Sequence, residues 1–201
     1  MGRSVCCTNS PTHYSTVKYT RLDIPGAFQV ELEHHQDDRG FFSRSWCRAE
    51  FQNFGLNPNL AQCNISFNER RGTLRGMHFH RSLKAEAKLV RCTRGRLFDV
   101  LVDLRQASPT FRAYNISELS QDNHLAIYVP EGCAHGFLTL EDHTEVFYQM
   151  SDAYDAQMSA GFIWNDPDIN IPWPGRDNKT FLISKRDALL PTFREVVSLL
   201  P

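Results

Sequence analysis

The sequence has almost no excess charge of either sign and none of the features of a membrane protein. Its 201 residues contain 22 Lys and Arg against 23 Asp and Glu, a formal net charge of −1. This balance argues against a nucleic-acid-binding domain, although it is compatible with a local basic pocket for a small anion. No apolar run is long enough to span a bilayer. We therefore expect neither nucleic-acid nor membrane partners.

The six cysteines lack the spacing of a metal or redox motif. They stand at positions 6, 7, 47, 63, 92 and 133, and no two of them form a CxxC pair. This arrangement argues against a zinc ribbon or a thioredoxin-like site. Free thiols are typical of a reducing compartment, and the polar N-terminus lacks the apolar stretch of a signal peptide. We therefore expect a cytoplasmic protein.

No internal repeat and no Pro/Gly/Ser-rich linker divides the chain. A chain of this length buries a substantial core as one unit, and 41% of its residues are hydrophobic. We expect a flexible N-terminal extension over residues 1–18 and a single domain over residues 19–201.

Short apolar or alternating runs separated by turn residues dominate the middle of the chain and predict an antiparallel sandwich or barrel. These runs are Ala27–Leu32, Gly40–Trp46, Ala61–Phe67, Lys88–Cys92, Leu97–Leu104, Ala113–Leu119, Leu125–Val129, Gly136–Leu140 and Glu145–Met150. Helical signals occur only at Cys47–Asn53, closed by Gly55, and at Thr192–Leu200 after Pro191. The sequence therefore predicts a mainly β barrel with a few short helices toward its ends.

Several histidines are spaced as in the metal-binding motifs of cupin jelly rolls. His78 and His80 alternate, so both face one side of a strand, and His135 follows a Pro-x-Gly-x-x pattern. Glu86 fits less well, because five residues separate it from His80 where the motif has three or four. A metal-dependent oxygenase or isomerase using His78, His80, Glu86 and His135 is one hypothesis.

A larger set of motifs resembles the dTDP-4-dehydrorhamnose 3,5-epimerase family, whose members are metal-free cupin-like enzymes. The order and spacing hold from residue 20 to about residue 195. The segments are Asp38-Arg39-Gly40 with Phe42, Gln62–Ser66, Gly72–Phe79, Lys88–Val90, Phe98–Arg105, Ser108–Phe111, Pro130–Phe137, Tyr148, Tyr154, Trp164–Pro167, Trp173-Pro174 and Ser184–Asp187. The resemblance implies a cupin-type double-stranded jelly roll that works without a metal or other cofactor.

The resemblance also implies a catalytic set suited to removing a proton beside a ketone. That reaction needs a base with a pKa near neutrality and a group that stabilises the enolate oxygen. His78 would be the base, Asp187 its orienting partner, Lys88 the enolate stabiliser and Tyr148 the acid on the opposite face. Without the resemblance, Asp187 could simply be the N-cap of a short helix.

The expected ligand is a nucleoside-diphosphate keto-deoxy sugar, most simply dTDP-4-dehydro-6-deoxy-D-glucose, which the enzyme would convert to dTDP-4-dehydro-L-rhamnose. By resemblance, arginines hold the phosphates, an aromatic ring stacks on the base, and polar side chains contact the sugar. The implied substrate-binding residues are Arg39, Phe42, Gln62, Asn64, Arg75, His135, Tyr154 and Arg186. A homodimer is also implied, in which a segment near residues 20–45 would carry Arg39 to the partner's site.

One departure leaves the exact substrate open. Arg44 stands where the family commonly has a glutamate near the nucleotide. A single-site epimerase that inverts only C3 or C5, or an enzyme acting on a sugar carried by another nucleotide, is therefore an alternative. A non-catalytic sugar-nucleotide-binding cupin is another, although binding alone would not require both a base and an acid.

Overall fold

The structure, a computed structural model, describes residues 17–82, 85–175 and 181–197. Its strands are β1 (Lys18–Arg21), β2 (Phe28–Glu31), β3 (His35–Asp37), β4 (Gly40–Phe42), β5 (Gln62–Asn68), β6 (Thr73–His80), β7 (Lys88–Arg94), β8 (Arg96–Asp103), β9 (Tyr114–Ser120), β10 (Ala126–Val129), β11 (Cys133–Thr139), β12 (Thr144–Met150), β13 (Ser159–Gly161) and β14 (Leu182–Ile183). Its helices are α1 (Arg48–Asn53), α2 (Lys185–Ala188) and α3 (Phe193–Val197). Within the described ranges, no helix has the length and apolar character needed to cross a membrane.

The strands form two six-stranded sheets and a separate hairpin. The first sheet has the order β1-β2-β10-β7-β12-β5, and the second has the order β13-β6-β11-β8-β9 with β14 added beside β6. The pairs within both sheets are antiparallel except β14 with β6, which is parallel. The hairpin β3–β4 stands apart from both sheets. This arrangement confirms the expected cupin-type jelly roll.

The period-two alternation of the strands divides the core into layers. In β8, Leu97 and Leu101 point into the barrel, where they join Val90 and Val146 of the first sheet. Val100 and its alternating neighbours point to the outer side of the second sheet. Burial of each such aliphatic side chain contributes about 1.5–3 kcal/mol before the entropy of ordering is subtracted.

Both outer faces are covered by segments from the chain ends. The C-terminal part lays Phe162, Trp173 and Phe193 over the second sheet, and α1 packs Phe51 over Tyr128 of the first.

Several boundaries differ from the predicted ones. The run predicted as a strand over Gly40–Trp46 is extended only to Phe42, since α1 follows closely with Cys47 as its N-cap. The fold already includes Val17, which is 4% exposed, so it begins inside the predicted extension; residues 1–16 lie outside the described ranges. The helix predicted over Thr192–Leu200 is present as α3, and its predicted end lies outside the described residues.

Candidate active site

An irregularity in β6 turns both Arg75 and His78 toward the barrel interior. Residues three apart on a regular strand point to opposite faces. Between Arg75 and His78, however, β6 has one residue more than the opposing segment of β11, and this bulge resets the alternation. Gly76 makes the bulge possible, because its φ is +137° and an added Cβ would lie 2.6 Å from Gly136 Cα.

His78 is paired with a carboxylate that lies 109 residues further along the chain. His78 Nε2 is 2.8 Å from Asp187 Oδ1. The Asp187 side chain is only 7% exposed, whereas that of His78 is 34% exposed. The N-cap of α2 is Ser184, whose side chain accepts the Asp187 backbone N–H at 3.0 Å. The N-cap interpretation of Asp187 is therefore wrong, and its carboxylate contacts the His78 imidazole instead.

The charge of Asp187 determines which nitrogen of His78 carries the proton. Burial alone raises the pKa of Asp187, but the hydrogen bond and charge of His78 act against it. The Gly76 N–H and the Arg186 guanidinium add to this opposing effect, and the pKa of Asp187 ends below its usual value. The ionised carboxylate accepts the Nε2–H of His78, which leaves a lone pair on Nδ1.

A cavity of about 200 Å³ opens in front of His78 and is lined by residues of both sheets. Four of the predicted site residues line it: His78, Lys88, Tyr154 and Arg186. The Lys88 ammonium pairs with Glu86 Oε1 at 3.0 Å, and their side chains are 12% and 9% exposed. The His78 imidazole and the Lys88 ammonium therefore line the same cavity.

A second histidine–aspartate pair lies in the interior beside the first. His135 of β11 is directly opposite His78 of β6, and its Nε2 is 2.7 Å from Asp99 Oδ1. Both side chains are buried, at 5% and 1% exposed. The Tyr148 ring meets the His135 ring edge to face at 6.1 Å between centroids. Tyr148 thus lies next to the paired strands β6 and β11, although it belongs to the opposite sheet.

Tyr148 is held in its protonated form. Burial raises the pKa of the phenol well above its ordinary value, and the charge of Asp99 raises it further, while Arg75 opposes the shift. A protonated phenol on the first sheet, facing the strands of His78 and His135, is able to donate a proton.

Arg75 is oriented by an amide rather than by a carboxylate. Its Nε donates to Asn68 Oδ1 at 2.8 Å. Asn68 is 2% exposed, and its own amide donates to the carbonyls of Ser66 and Thr144, each at 3.1 Å. Among the residues described, the Arg75 guanidinium is thus oriented by a neutral acceptor.

The cavity rim carries an exposed aromatic ring on a fixed backbone. Tyr154 is 58% exposed, and its backbone N–H donates to Gln62 Oε1 at 2.7 Å. Gln62 donates in turn to Asn64 Oδ1 at 3.2 Å. On the other side of the rim, Arg186 donates to Ser159 Oγ at 2.9 Å.

Of the eight predicted binding residues, Tyr154 and Arg186 line this cavity, whereas the other six do not: Arg39, Phe42, Gln62, Asn64, Arg75 and His135. Arg39 and Phe42 lie in the β3–β4 hairpin, where the Arg39 side chain is 90% exposed and Phe42 is 74% exposed. Arg39 is ion-paired with Asp37, its Nε lying 3.1 Å from Asp37 Oδ2. Neither Arg39 nor Phe42 is among the residues that line the cavity.

Arg44, the departure from the family pattern, is neutralised within the chain. Its Nη1 lies 2.8 Å from Glu50 Oε1 of α1. The two side chains are 29% and 14% exposed. The charge reversal at this position therefore adds little net positive charge to its surroundings.

The donors required by the metal hypothesis have other partners. His78 and His135 each hold an aspartate, Glu86 holds Lys88, and His80 Nδ1 lies 3.2 Å from the Ser82 N–H. Among the residues described, no group of three or more His, Cys, Asp or Glu is placed to hold a metal ion. The geometry therefore gives that hypothesis no ligand set.

Three residues of this site were not assigned their present contacts from the sequence. Asp99 holds His135, Asn68 holds Arg75, and Glu86 holds Lys88 rather than a metal. The one sequence signal was the i, i+2 spacing of Glu86 and Lys88, which places both on one face of a strand.

Two facing sheets around a polar cavity define a cupin-type jelly roll, and comparison with known proteins defines the family. The family model described as dTDP-4-dehydrorhamnose 3,5-epimerase matches residues 21–195. An enzyme of that name from Sinorhizobium fredii is 41% identical over 185 residues, covering 92% of this chain and 94% of its own. The chain belongs to the dTDP-4-dehydrorhamnose 3,5-epimerase family.

Two solved structures extend the comparison to bound ligands. The dTDP-4-dehydrorhamnose 3,5-epimerase of Bacillus anthracis, with TDP and pyrophosphate bound, superposes with a TM-score of 0.83 at 38% identity, covering 88% of this chain and 99% of that one. A 3'-monoepimerase from Streptomyces bikiniensis, in complex with dTDP-quinovose, superposes with a TM-score of 0.81 at 35% identity, covering 90% and 91%. The fold thus occurs in epimerases that bind thymidine nucleotides.

Proposed function

We propose that this protein inverts C3 and C5 of dTDP-4-dehydro-6-deoxy-D-glucose, giving dTDP-4-dehydro-L-rhamnose, without a cofactor. The observation that carries the proposal is the His78–Asp187 pair at 2.8 Å, which opens onto a cavity shared with Lys88. The membership of the chain in an epimerase family supports it.

In the first step, His78 Nδ1 takes the proton from a carbon adjacent to the C4 ketone. The electron pair of the C–H bond forms a double bond between that carbon and C4, and the carbonyl becomes an enolate. Asp187 would stabilise the imidazolium that forms, and the Lys88 ammonium would stabilise the enolate oxygen, a role supported by its place in the cavity that His78 also lines.

In the second step, Tyr148 gives its phenolic proton to the opposite face of the same carbon. Support for this role comes from the two sheets, because His78 and Tyr148 approach the interior from facing sides. After one inversion His78 holds an extra proton and Tyr148 lacks one, so exchange with water restores both. Each inverted carbon therefore acquires a hydrogen that originated in solvent.

The nucleotide portion would be held by the arginines and the rim. Arg75 and Arg186 offer forked donors suited to phosphate oxygens, and the exposed ring of Tyr154 offers a stacking surface. His135, which is opposite His78 on the neighbouring strand, would contact the sugar. Gln62 and Asn64 would contact the nucleotide or sugar from β5.

We propose a homodimer, in which the partner's hairpin brings Arg39 and Phe42 to the nucleotide. The first sheet ends at β5, and the exposed face of that edge includes Ile65 at 65% and Phe67 at 41%. A second copy would cover these side chains and the unpaired edge. Sedimentation equilibrium would test the assembly: a dimer is expected for the wild type, and a monomer at micromolar concentration would exclude it.

We also propose a reducing, cytoplasmic location. Cys47, Cys63, Cys92 and Cys133 are all free thiols in the part of the chain described. Thiol titration of protein purified without reductant would show four or more free groups if the proposal is correct.

Product analysis tests the proposed reaction. Purified protein is incubated with the keto sugar nucleotide, the ketone is reduced with borohydride, and the released sugars are separated. The wild type should yield L-rhamnose, and His78→Asn should lose roughly 10²- to 10⁴-fold in rate. Tight binding without turnover would instead indicate a binding protein, and activity that depends on added Fe, Mn or Zn would revive the metal hypothesis.

A second candidate function is epimerisation at a single carbon. The likeness to the 3'-monoepimerase favours it, since that enzyme shares the fold at 35% identity. In that case, the same product analysis would release a deoxyhexose inverted at only one of C3 and C5.

A further inference from the structure

We propose that Glu86 is a positioning residue for this reaction, holding the Lys88 ammonium at the place where the C4 oxygen of the sugar binds. The inference rests on the proposed function, because it assigns the carboxylate that serves Lys88. Glu86 Oε1 lies 3.0 Å from Lys88 Nζ, and both side chains line the same cavity as His78.

The backbone between the two residues fixes the direction of both side chains. Ala87 is 1% exposed and packs into the outer cluster of the first sheet, so its neighbours at 86 and 88 point the other way, into the cavity. The Ala87 N–H donates to Ser151 Oγ at 2.7 Å, and its carbonyl accepts the Ser151 N–H at 3.0 Å. The Glu86–Lys88 pair therefore lies on a segment that is hydrogen-bonded to the residue following β12.

A nearly buried ion pair needs an explanation beyond stability. Removing two charges from water costs about as much as their attraction returns, and apolar residues of similar volume often serve stability equally well. At 12% and 9% exposed, Lys88 and Glu86 are buried at a cavity wall rather than in the core. Such a pair is useful where an ammonium must be kept in place for a ligand.

The geometry leaves Lys88 able to act on a ligand. A lysine has a flexible four-carbon stem, so its charge is poorly placed unless a partner holds it. An ammonium carries three N–H donors, and Glu86 occupies only part of that capacity. The remaining donors are available to an enolate oxygen in the cavity, and they do not have to reorganise when negative charge develops there.

A four-way comparison of kinetics tests the inference. The wild type, Glu86→Gln, Lys88→Met and the double variant are assayed for kcat and KM, and each is titrated with dTDP. Glu86→Gln should lower kcat roughly 10- to 100-fold while KM and the dTDP affinity change less than about threefold, because the enolate is stabilised only during the reaction. In the Lys88→Met background, the same substitution should change kcat less than about threefold.

Two further variants separate the carboxylate from charge loss in general. Glu86→Asp keeps the charge but lengthens the contact, so its kcat should lie between those of the wild type and Glu86→Gln. Glu118→Gln is the control, because Glu118 pairs with Arg96 at 3.5 Å on the exposed surface and its side chain is 55% exposed. Its kcat should equal that of the wild type.

The outcomes distinguish this inference from the proposed function. Wild-type kcat in Glu86→Gln, full additivity with Lys88→Met, or a Gln variant as active as the Asp variant would each overturn the role of Glu86. Wild-type kcat in Lys88→Met would instead remove Lys88 from the proposed reaction. If Glu86→Gln does not fold, as shown by lost dTDP binding and a collapsed melting transition, the Glu86→Asp variant decides: wild-type kcat there would overturn the inference.

Discussion

His78 and His135 lie directly opposite each other on neighbouring antiparallel strands, and each is hydrogen-bonded through Nε2 to a different buried aspartate. The two pairs differ in access. The His78 side chain is 34% exposed and faces the cavity, while that of His135 is 5% exposed and contacts Tyr148. This difference suits His78 to proton transfer with a bound ligand and His135 to shaping the interior behind it.

Replacing Asp187 by Asn should impair activity strongly. The amide carries no negative charge to stabilise the imidazolium, and its NH2 group can donate to Nε2, which favours the tautomer with the proton on Nδ1. We expect kcat to fall roughly 10²- to 10⁴-fold. Asp122→Asn, on an exposed turn, is the control and should leave kcat unchanged.

The same variant should also change how stability depends on pH. The pKa of Asp187 is lower in the folded chain than the usual unfolded value of about 3.9. Its ionised form therefore contributes stability that is complete above that pH and is lost as the pH falls through the folded value. Urea unfolding of the wild type and Asp187→Asn should show a difference in free energy near pH 7 that shrinks below about pH 4. A difference that grows toward acid would contradict this sign.

Tyr148→Phe should separate proton removal from inversion. His78 can still take a proton, but the phenol that would return one to the opposite face of the carbon is missing. The substrate recovered from deuterated water should carry label at C3 or C5 while the inverted product is reduced at least 10²-fold. Normal inversion by this variant would assign the acid to another group.

Gly76→Ala should destabilise the protein and displace the base. The new methyl group would meet Gly136 Cα at 2.6 Å, and the backbone φ of +137° is strained for any L side chain. We expect a loss of about 2–4 kcal/mol in urea unfolding, together with reduced kcat. Gly55→Ala is the matched control: its φ is +71° but nothing lies within 4 Å of the added methyl, so about 1 kcal/mol is expected.

Asn68→Ala should weaken nucleotide binding more than it slows the chemistry. Arg75 would lose the acceptor at 2.8 Å that orients its guanidinium. Isothermal titration with dTDP should show about a tenfold weaker Kd, the typical effect of one hydrogen bond to a charged group. Asn59→Ala, at an exposed position, should bind as the wild type does. An unchanged Kd in Asn68→Ala would show that Arg75 does not contact the nucleotide.

The sequence predicted the fold well because alternation reports directly on which face a strand residue occupies. Along β8, hydrophobic residues fall on both faces, as expected for a strand buried on both sides, and the observed limits Arg96–Asp103 differ by one residue at each end from the predicted run. The short strands β3, β13 and β14 were not predicted, since so few residues carry little periodic signal.

The residue types of the site were predictable, and the family resemblance implied the contact of His78 with Asp187, but the other pairings were not predicted. Alternation identifies the face of a residue, whereas the contact between Asn68 and Arg75 depends on which strands of opposite sheets meet. The inward direction of both Arg75 and His78 depends on the bulge at Gly76, because a strand without one would place them on opposite faces. Asp99 was missed for a related reason: a lone aspartate in an apolar strand gives no indication of its partner.

Solvent-hydrogen incorporation tests the central claim most directly. The protein is incubated with dTDP-4-dehydro-6-deoxy-D-glucose in deuterated water, and the product is examined by NMR. The proposed mechanism predicts one deuteron at C3 and one at C5 of the inverted sugar. The His78→Asn variant should incorporate deuterium at neither carbon. Label at neither carbon, from a protein that binds the substrate, would contradict the mechanism.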